Sequence, residues 1–384
     1  MNSKERVLAA LSHREPDRVP IDFGGTNETT IHVKAYQQLK EYLGICVDKP
    51  VQFRLLTAQI VDVDEEIQNH VGSDVRGVFP NAVPLPSENE WKDEEYYYRK
   101  DEFGIGWRKP IEEGLYYDMY DHPLREKEEE EIEKYPLPDP RRPERFDGIN
   151  EKIEKLSKSG AYPVVFDNCF GNGIFQTCNH LMGYDEFMVS LALGEKKAEI
   201  LLDKIVELKM EFWDEVLTRF GSSLDVVKEL DDLGTQTSLL ISPDMYDTYI
   251  KPRLSRLLAF IKKKAPHVKI MMHSCGSIRG VIGSLIDAGV EILNPVQYSA
   301  ENMDPVELKK EFGKDLVFWG GGVDTQNILN RGTVEDVRKE VRRMLDILMP
   351  GGGFVFAQVH NIQYGVPPEN MVAMWETVRE YGVY

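Results

Sequence analysis

An imidazole and a thiol stand two residues apart at the end of one apolar run, as His273 and Cys275 in VKIMMHSCG. Side chains at positions i and i+2 of an extended segment project to the same side, so both groups can reach one point. Imidazole nitrogen and cysteine sulfur are ligands that zinc prefers. His360 ends another apolar run and would supply a third ligand. A fourth position left open is typical of a catalytic zinc site.

The same residues permit other interpretations. A His-x-Cys pattern taken alone is a weak signal for a metal. A cysteine–histidine nucleophile pair is less favoured, because neighbours on one strand face rarely form the hydrogen bond that activates the thiol. Cys169, which follows the run YPVVFD, is either an additional ligand or a small buried hydrophobic residue.

Two adjacent acids, Asp231 and Asp232, end the run LDVVKELDD. One of two neighbours on a strand must turn away, so we expect one to face a cavity and the other to anchor a helix N-terminus or an arginine. A carboxylate that faces the cavity can orient a substrate or act as a general acid–base. The pattern leaves open which of the two acids faces the cavity.

The elements that must position these residues alternate along the chain. Segments of helical periodicity separate short apolar runs, which lie at 18–25, 162–167, 224–232, 268–274, 290–297, 316–324 and 353–361. This alternation predicts βαβ units and a parallel sheet, either an open doubly wound sheet or a closed barrel. No GxGxxG turn follows the first strand. Seven candidate strands with room for an eighth favour a (β/α)8 TIM barrel.

In such a barrel the loops after the C-terminal ends of the strands form one face, where substrates bind. Residues at the strand ends are therefore expected to share one site although they are far apart in sequence. The candidate substrate-binding residues are Asn168, Asp231, Gln297, Trp319, Asp324, Gln358 and Asn361. For Trp319, packing in the barrel core is the alternative.

A barrel needs about 250 residues, so a chain of 384 residues has material to spare. We place the surplus at 80–148. There, EWKDEEYYYRKDEFGIGWRKP predicts antiparallel β structure, and the following REKEEEEIEKYPLPDP predicts a charged excursion that ends in Pro-rich coil. Residues 1–384 would then form a single TIM-barrel domain that carries this insertion.

The composition excludes several classes of protein. A formal net charge of −19 disfavours nucleic-acid and membrane-surface binding, because both depend on clustered lysine and arginine. No apolar run approaches the ~18 residues of a membrane span. Four cysteines without a CxxC pair fit a reducing compartment. These features predict a cytoplasmic protein.

Several motifs together resemble the uroporphyrinogen decarboxylase superfamily. They are the opening KERVLAALSHREPDRVPIDFGG, the segment ELDDLGTQTSLLISPDMYDTYIKPRLSRL, the HSCG corner, the ILNPVQ strand and the ending VHNIQYGVPPENM. The resemblance runs nearly end to end and is weakest at 80–150. It implies a TIM barrel with one of two chemistries, decarboxylation of a tetrapyrrole or zinc-dependent methyl transfer in corrinoid systems.

The motifs favour the methyltransferase branch. The true decarboxylases carry an arginine-rich segment after the first strand, whereas this chain has DFGGTNETT, with no arginine to bind eight carboxylates. The methyltransferases have His-x-Cys plus a later cysteine. His273 and Cys275 match the first two positions, and His360 stands near the place of the missing third ligand. His360 also resembles the late histidine of the decarboxylases.

The resemblance implies that a methyl group moves between a small methylated substrate, a thiol or a folate and the cobalt of methylcobalamin or another corrinoid. A separate carrier protein would present this corrinoid, and zinc would assist. Asp232 or His360 would transfer the proton and are the candidate catalytic residues. Two alternatives are a metal-free lyase that acts on a carboxylated substrate through Asp232 and His360, and a non-enzymatic protein that binds a corrinoid or tetrapyrrole. A homodimer is compatible with the sequence.

Overall fold

The computed structural model describes residues 1–45, 50–168 and 170–384, so Cys169 lies outside the described residues. Thirteen strands lie within these ranges: β1 (Phe53–Leu55), β2 (Ile60–Val61), β3 (Arg76–Val78), β4 (Glu90–Lys92), β5 (Tyr96–Lys100), β6 (Gly106–Pro110), β7 (Asp118–Asp121), β8 (Val164–Asp167), β9 (Val226–Leu230), β10 (Lys269–His273), β11 (Ile292–Asn294), β12 (Val317–Trp319) and β13 (Phe354–Val355).

Fourteen α-helices lie within the same ranges: α1 (Ser3–Leu11), α2 (Val33–Leu43), α3 (Glu65–Val71), α4 (Glu129–Lys134), α5 (Ile149–Ser159), α6 (Ile174–Met182), α7 (Tyr184–Leu193), α8 (Lys196–Phe220), α9 (Pro243–Met245), α10 (Lys251–Lys264), α11 (Arg279–Ala288), α12 (Pro305–Phe312), α13 (Val334–Leu348) and α14 (Pro368–Tyr381). None of the helices described is both long enough and apolar enough to cross a membrane.

Seven parallel strands form the main sheet, in the order β13-β12-β11-β10-β9-β8-β3. Each strand lies beside its neighbour in sequence, as successive βαβ units require. The sheet curls, and the segment at residues 19–22 lies between its two edges. Asp22 N–H donates to Phe356 O (2.8 Å), and Asp74 N–H donates to Ile21 O (2.7 Å). This confirms the predicted TIM-barrel-like fold.

Side chains alternate between the inside of the barrel and the helices outside it. One buried cluster inside contains a residue from each of five adjacent strands: Val165, Val226, Met271, Ile292 and Val317. Helix α1 adds three apolar residues to the same cluster. Two positions further along each strand the side chain again faces inward. A second layer, nearer the C-terminal ends, therefore consists of Asp167, Lys228, His273, Asn294 and Trp319.

The surplus chain between β3 and β8 forms a four-stranded antiparallel sheet in the order β4-β5-β6-β7. The acidic run that follows contains α4, whose Ile132 is buried while its glutamates face outward. The sheet packs back onto α6, where the Trp107 and His180 rings meet edge-on at 6.1 Å. The insertion is thereby attached next to the C-terminal face of the barrel.

His180 makes this attachment sensitive to acid. Burial, with a smaller effect of His122, lowers the pKa of His180 to about 4. Its Nδ1 accepts a hydrogen bond from Asn172 Nδ2 (3.0 Å), which requires the neutral ring. Because the unfolded chain binds a proton near pH 6.5 and the folded chain does not, stability falls as pH drops from about 6.5 to 4.

We expect this histidine to account for about 2 kcal/mol of the stability lost between pH 7 and pH 5. The measurement is the free energy of urea unfolding at both pH values for the wild type and for His180→Gln, which does not titrate. The variant should lose less stability on acidification. An equal pH dependence of the two proteins would contradict the assignment.

Candidate active site

Three donor atoms meet above the polar inner layer. His273 ends β10, Cys275 follows two residues later, and His360 comes from the loop after β13. The donor atoms of the three residues all lie within 4.8 Å of one another. Cys275 Sγ is 3.3 Å from His273 Nε2, and the two imidazole rings are 5.5 Å apart. The structure thus brings together the residues predicted as metal ligands.

The backbone after Cys275 depends on a glycine. Gly276 has φ +88°, and a Cβ atom there would lie 2.5 Å from the carbonyl carbon of Gly234. Only glycine tolerates both the positive φ and the close approach. Gly276 N–H donates to Gln297 Oε1 (2.7 Å). The loops after β9, β10 and β11 are therefore tied together directly beside the thiol.

Asn294 fixes the orientation of His273. The two residues are register partners in β10 and β11, and Asn294 Oδ1 lies 2.5 Å from His273 Nδ1. Asn294 Nδ2 donates to Trp319 O (2.7 Å), which leaves Oδ1 to accept from His273. The proton of His273 is therefore on Nδ1, and Nε2 faces Cys275 as an acceptor. Such a partner orients most metal-binding histidines.

The two adjacent acids have separate functions. Both carboxylate oxygens of Asp231 accept N–H groups at the start of α6, from Phe175 and Gln176, each at 2.8 Å. Burial raises the pKa of Asp231 to about 7. Asp232 faces the donor cluster: its Oδ1 accepts from Cys275 N–H (2.9 Å) and lies 3.6 Å from His273 Nε2. Of the two acids, Asp232 is therefore the one placed to exchange a proton with a group bound at the donor cluster.

The surroundings keep His360 neutral and the Cys275 thiol protonated. Burial, and repulsion from His273 whenever that ring is protonated, lower the pKa of His360 to about 4. Burial, followed by the negative charges of Asp232 and Glu28, raises the pKa of the Cys275 thiol. A neutral imidazole is the form that binds metal. A thiol with a raised pKa is a poor free nucleophile, which argues against the cysteine–histidine nucleophile pair.

Beneath the cluster lies a buried ion triad that the sequence analysis missed. Lys228 Nζ is 2.7 Å from Glu28 Oε2 and 2.7 Å from Asp167 Oδ1, and its side chain is fully buried. Burial opposes ionisation of Glu28, but Lys228, together with His273 whenever that ring is protonated, outweighs it and lowers the pKa of Glu28 to about 2. A carboxylate charge is therefore held permanently next to both histidines.

A cavity of about 290 Å³ opens beside the donor cluster. Five of its lining residues belong to the predicted site: Cys275, Gln297, Asp324, His360 and Asn361. Six others were not predicted: Gln236, Ser299, Thr325, Gln326, Val359 and Gln363. Five of these six lie one or two residues beyond a predicted position. Extending each strand-end motif into its loop would have found them.

The other four predicted substrate-binding residues do not line this cavity. Asp231 caps α6, as described above. Trp319 is fully buried and donates from Nε1 to Asp22 Oδ2 (2.8 Å), so it belongs to the barrel interior. Asn168 Nδ2 donates to Glu229 Oε1 (2.9 Å). Gln358 is 1% exposed, and its amide nitrogen faces Thr30 O at 3.5 Å.

Comparison with known proteins agrees with this architecture. A methyltransferase from Methanosarcina mazei has a similar structure, with a TM-score of 0.66 and 19% identity over 99% of both chains. This likeness shows the fold. Uroporphyrinogen decarboxylase from Synechocystis sp. (strain PCC 6803) is 24% identical over 184 residues, which is 47% of either chain. The chain thus spans about half the length of this curated relative.

The family model "Uroporphyrinogen decarboxylase (URO-D)" matches residues 116–381, which is more than half of the chain. The matched range begins within the insertion and continues through α14, so it contains the strand ends that carry Asp232, His273, Cys275 and His360. The chain therefore belongs to the uroporphyrinogen decarboxylase family.

Proposed function

We propose that the protein is a zinc-assisted methyltransferase of a corrinoid-dependent system. It moves a methyl group between a small methylated substrate, a thiol or a folate and the cobalt of a corrinoid on a carrier protein. The observation that supports this function is the cluster of two imidazole nitrogens and one thiol within 4.8 Å, at the edge of a cavity. This donor set matches a catalytic zinc site with an open position.

The donor set fits zinc in both chemistry and spacing. Zinc binds imidazole nitrogen at about 2.0–2.1 Å and thiolate sulfur at about 2.3 Å, so tetrahedral ligands lie roughly 3.5 Å apart. The distance of 3.3 Å between Cys275 Sγ and His273 Nε2 is close to this value, and the donor atoms of all three residues lie within 4.8 Å of one another. His273, Cys275 and His360 would hold the ion, and Asn294 orients the first of them.

When bound, zinc would supply a Lewis acid that polarises the methyl-bearing or methyl-accepting atom and lowers the pKa of a thiol acceptor. The chain itself supplies positioning and proton transfer. Asp232, fixed by Cys275 N–H, is placed to accept or return the proton of a substrate that enters beside it. Glu28 and Lys228 hold a fixed charge distribution below the reacting groups.

Decarboxylation of a tetrapyrrole is the weaker alternative. A substrate with eight carboxylates needs cationic, preferably bidentate partners. The segment DFGGTNETT at residues 22–30 contributes no arginine, and its Glu28 adds a negative charge to the site. The family membership is shared by both activities, and the donor cluster is the observation that favours methyl transfer.

The test combines metal analysis with a methyl-transfer screen. We expect purified protein to contain stoichiometric zinc and to demethylate methylcobalamin in the presence of a thiol or folate acceptor. Cobalamin absorbance reports the transfer. A chelator should abolish the activity, and added zinc should restore it. Zinc-free protein that releases CO2 from a carboxylated substrate would establish the lyase instead. Tight corrinoid binding without any transfer would establish a binding protein.

A further inference from the structure

The wall of the cavity beside the donor cluster consists mainly of uncharged polar side chains together with one acidic side chain. Seven of its eleven lining residues carry amide or hydroxyl side chains, and Asp324 is the charged one. Among the described residues that line it, there is no lysine or arginine. Because amides and hydroxyls both donate and accept hydrogen bonds, this wall can solvate a polar substrate without a charge. It offers an anion no counterion.

The charges around the cavity are also negative. Asp324 and Asp232 are both carboxylates, and Asp324 uses its oxygens to accept from Gln326 N–H (3.0 Å) and Asn327 Nδ2 (2.7 Å). Lys228 is fully buried below and is already held between two carboxylates. A divalent metal ion at the donor cluster would not reverse this balance. The thiolate of Cys275 and the carboxylates of Asp232 and Asp324 together offset its charge.

Size restricts the substrate further. The cavity volume of about 290 Å³ is at the lower end of small-molecule sites. A compound that fills this volume lies against the polar wall on one side and stays partly open to solvent on the other. An anionic group that packs against this wall would lose part of its hydration without gaining a cation.

We infer that the methyl substrate of this site is a small compound without an anionic group, such as an alcohol, an ether, an amide or an amine. The inference rests on the proposed function and specifies its substrate class. It excludes sulfonates, phosphates and carboxylates of the same size. The acids around the cavity reject anions, and the amide-rich wall accepts the hydrogen bonds of an uncharged polar group.

The test compares two methyl ethers of equal shape, methoxyacetamide and methoxyacetate. Binding of each to the zinc-loaded protein and to chelator-treated protein is measured by ligand-observed NMR titration. We expect the neutral amide to bind at least tenfold more tightly than the carboxylate in both forms. Equal affinity, tighter binding of methoxyacetate or no detectable binding of the amide would overturn the inference.

A charge-introducing variant provides a second readout. Gln236 and Thr237 are adjacent, exposed loop residues, but only Gln236 lines the cavity. Gln236→Lys should therefore raise the affinity for methoxyacetate severalfold, whereas Thr237→Lys should not. The same gain in both variants would mean that the cavity wall does not control charge selection. The experiment measures binding and therefore does not depend on corrinoid chemistry. If the protein transfers no methyl group, the binding result can still confirm the charge preference. If the protein is active, the same result can still refute it.

Discussion

Replacing Cys275 with serine is expected to remove stoichiometric zinc and to lower methyl transfer by at least about a hundredfold. Serine keeps the size of the side chain and its hydrogen-bonding capacity, but its hydroxyl is not deprotonated by the metal as a thiol is. Cys275 is only partly buried, and its N–H bond to Asp232 is a backbone interaction that serine retains. The fold should therefore persist.

Three measurements test this expectation: zinc content by elemental analysis, the rate of methylcobalamin demethylation, and thermal unfolding to confirm that the variant is folded. Cys178 provides a matched control, because it is a fully buried thiol in α6 outside the donor cluster. Cys178→Ser places a hydroxyl in an apolar environment and should cost about 1–3 kcal/mol of stability while zinc is retained. Methyl transfer that survives in Cys275→Ser would eliminate the proposed mechanism.

The fold could be predicted because most barrel strands are continuous apolar runs bounded by polar corners. The run at 268–274 contains β10, and the run at 162–167 contains β8. Strand β3 was missed because its sequence, Arg-Gly-Val, begins with a charge and a glycine and lacks an apolar run. The run at 18–25 joins the barrel through isolated hydrogen bonds, since Pro20 has no N–H to donate to a ladder.

The donor cluster could be predicted from strand alternation and the common direction of parallel strands. His273 and Cys275 share one side because they are two residues apart, and His360 comes from another strand end. The sequence did not reveal how deep each strand-end side chain lies along the axis of the barrel. Trp319 ends a strand, as the residues that line the cavity do, yet it lies inside the barrel and donates a hydrogen bond to Asp22. Depth depends on how each strand is staggered in the closed sheet.

The buried charges were missed for a related reason. Lys228 stands within an apolar run, where a lone charge is usually interpreted as facing solvent. Lys228 and Asp167 each occur two residues after an interior valine, in Val226-x-Lys228 and Val165-x-Asp167. Met271-x-His273 and Ile292-x-Asn294 have the same phase. Once the strands close into a barrel, this shared phase places all four polar side chains in one inner layer.

The second large effect is expected from Lys228→Met, which should destabilise the protein by about 3–5 kcal/mol. The substitution keeps the length and apolar stem of the side chain but removes its charge. Glu28 and Asp167, both buried, would then lose the cation that lies 2.7 Å from each of them. Removing one partner of a buried ion pair is costly because the remaining charge stays out of water.

Urea unfolding of the wild type and the variant at pH 7 measures this difference, with Lys158→Met as the control. Lys158 is 78% exposed and pairs with Glu154 on the surface of α5, so its loss should cost no more than about 0.5 kcal/mol. A double variant, Lys228→Met with Glu28→Gln, removes one of the two stranded carboxylate charges. It should recover part of the lost stability, because the two residues are coupled through direct contact. If Lys228→Met is as stable as the control, or if Glu28→Gln gives no recovery, Lys228 is not the counterion that maintains the charges beneath the two histidines.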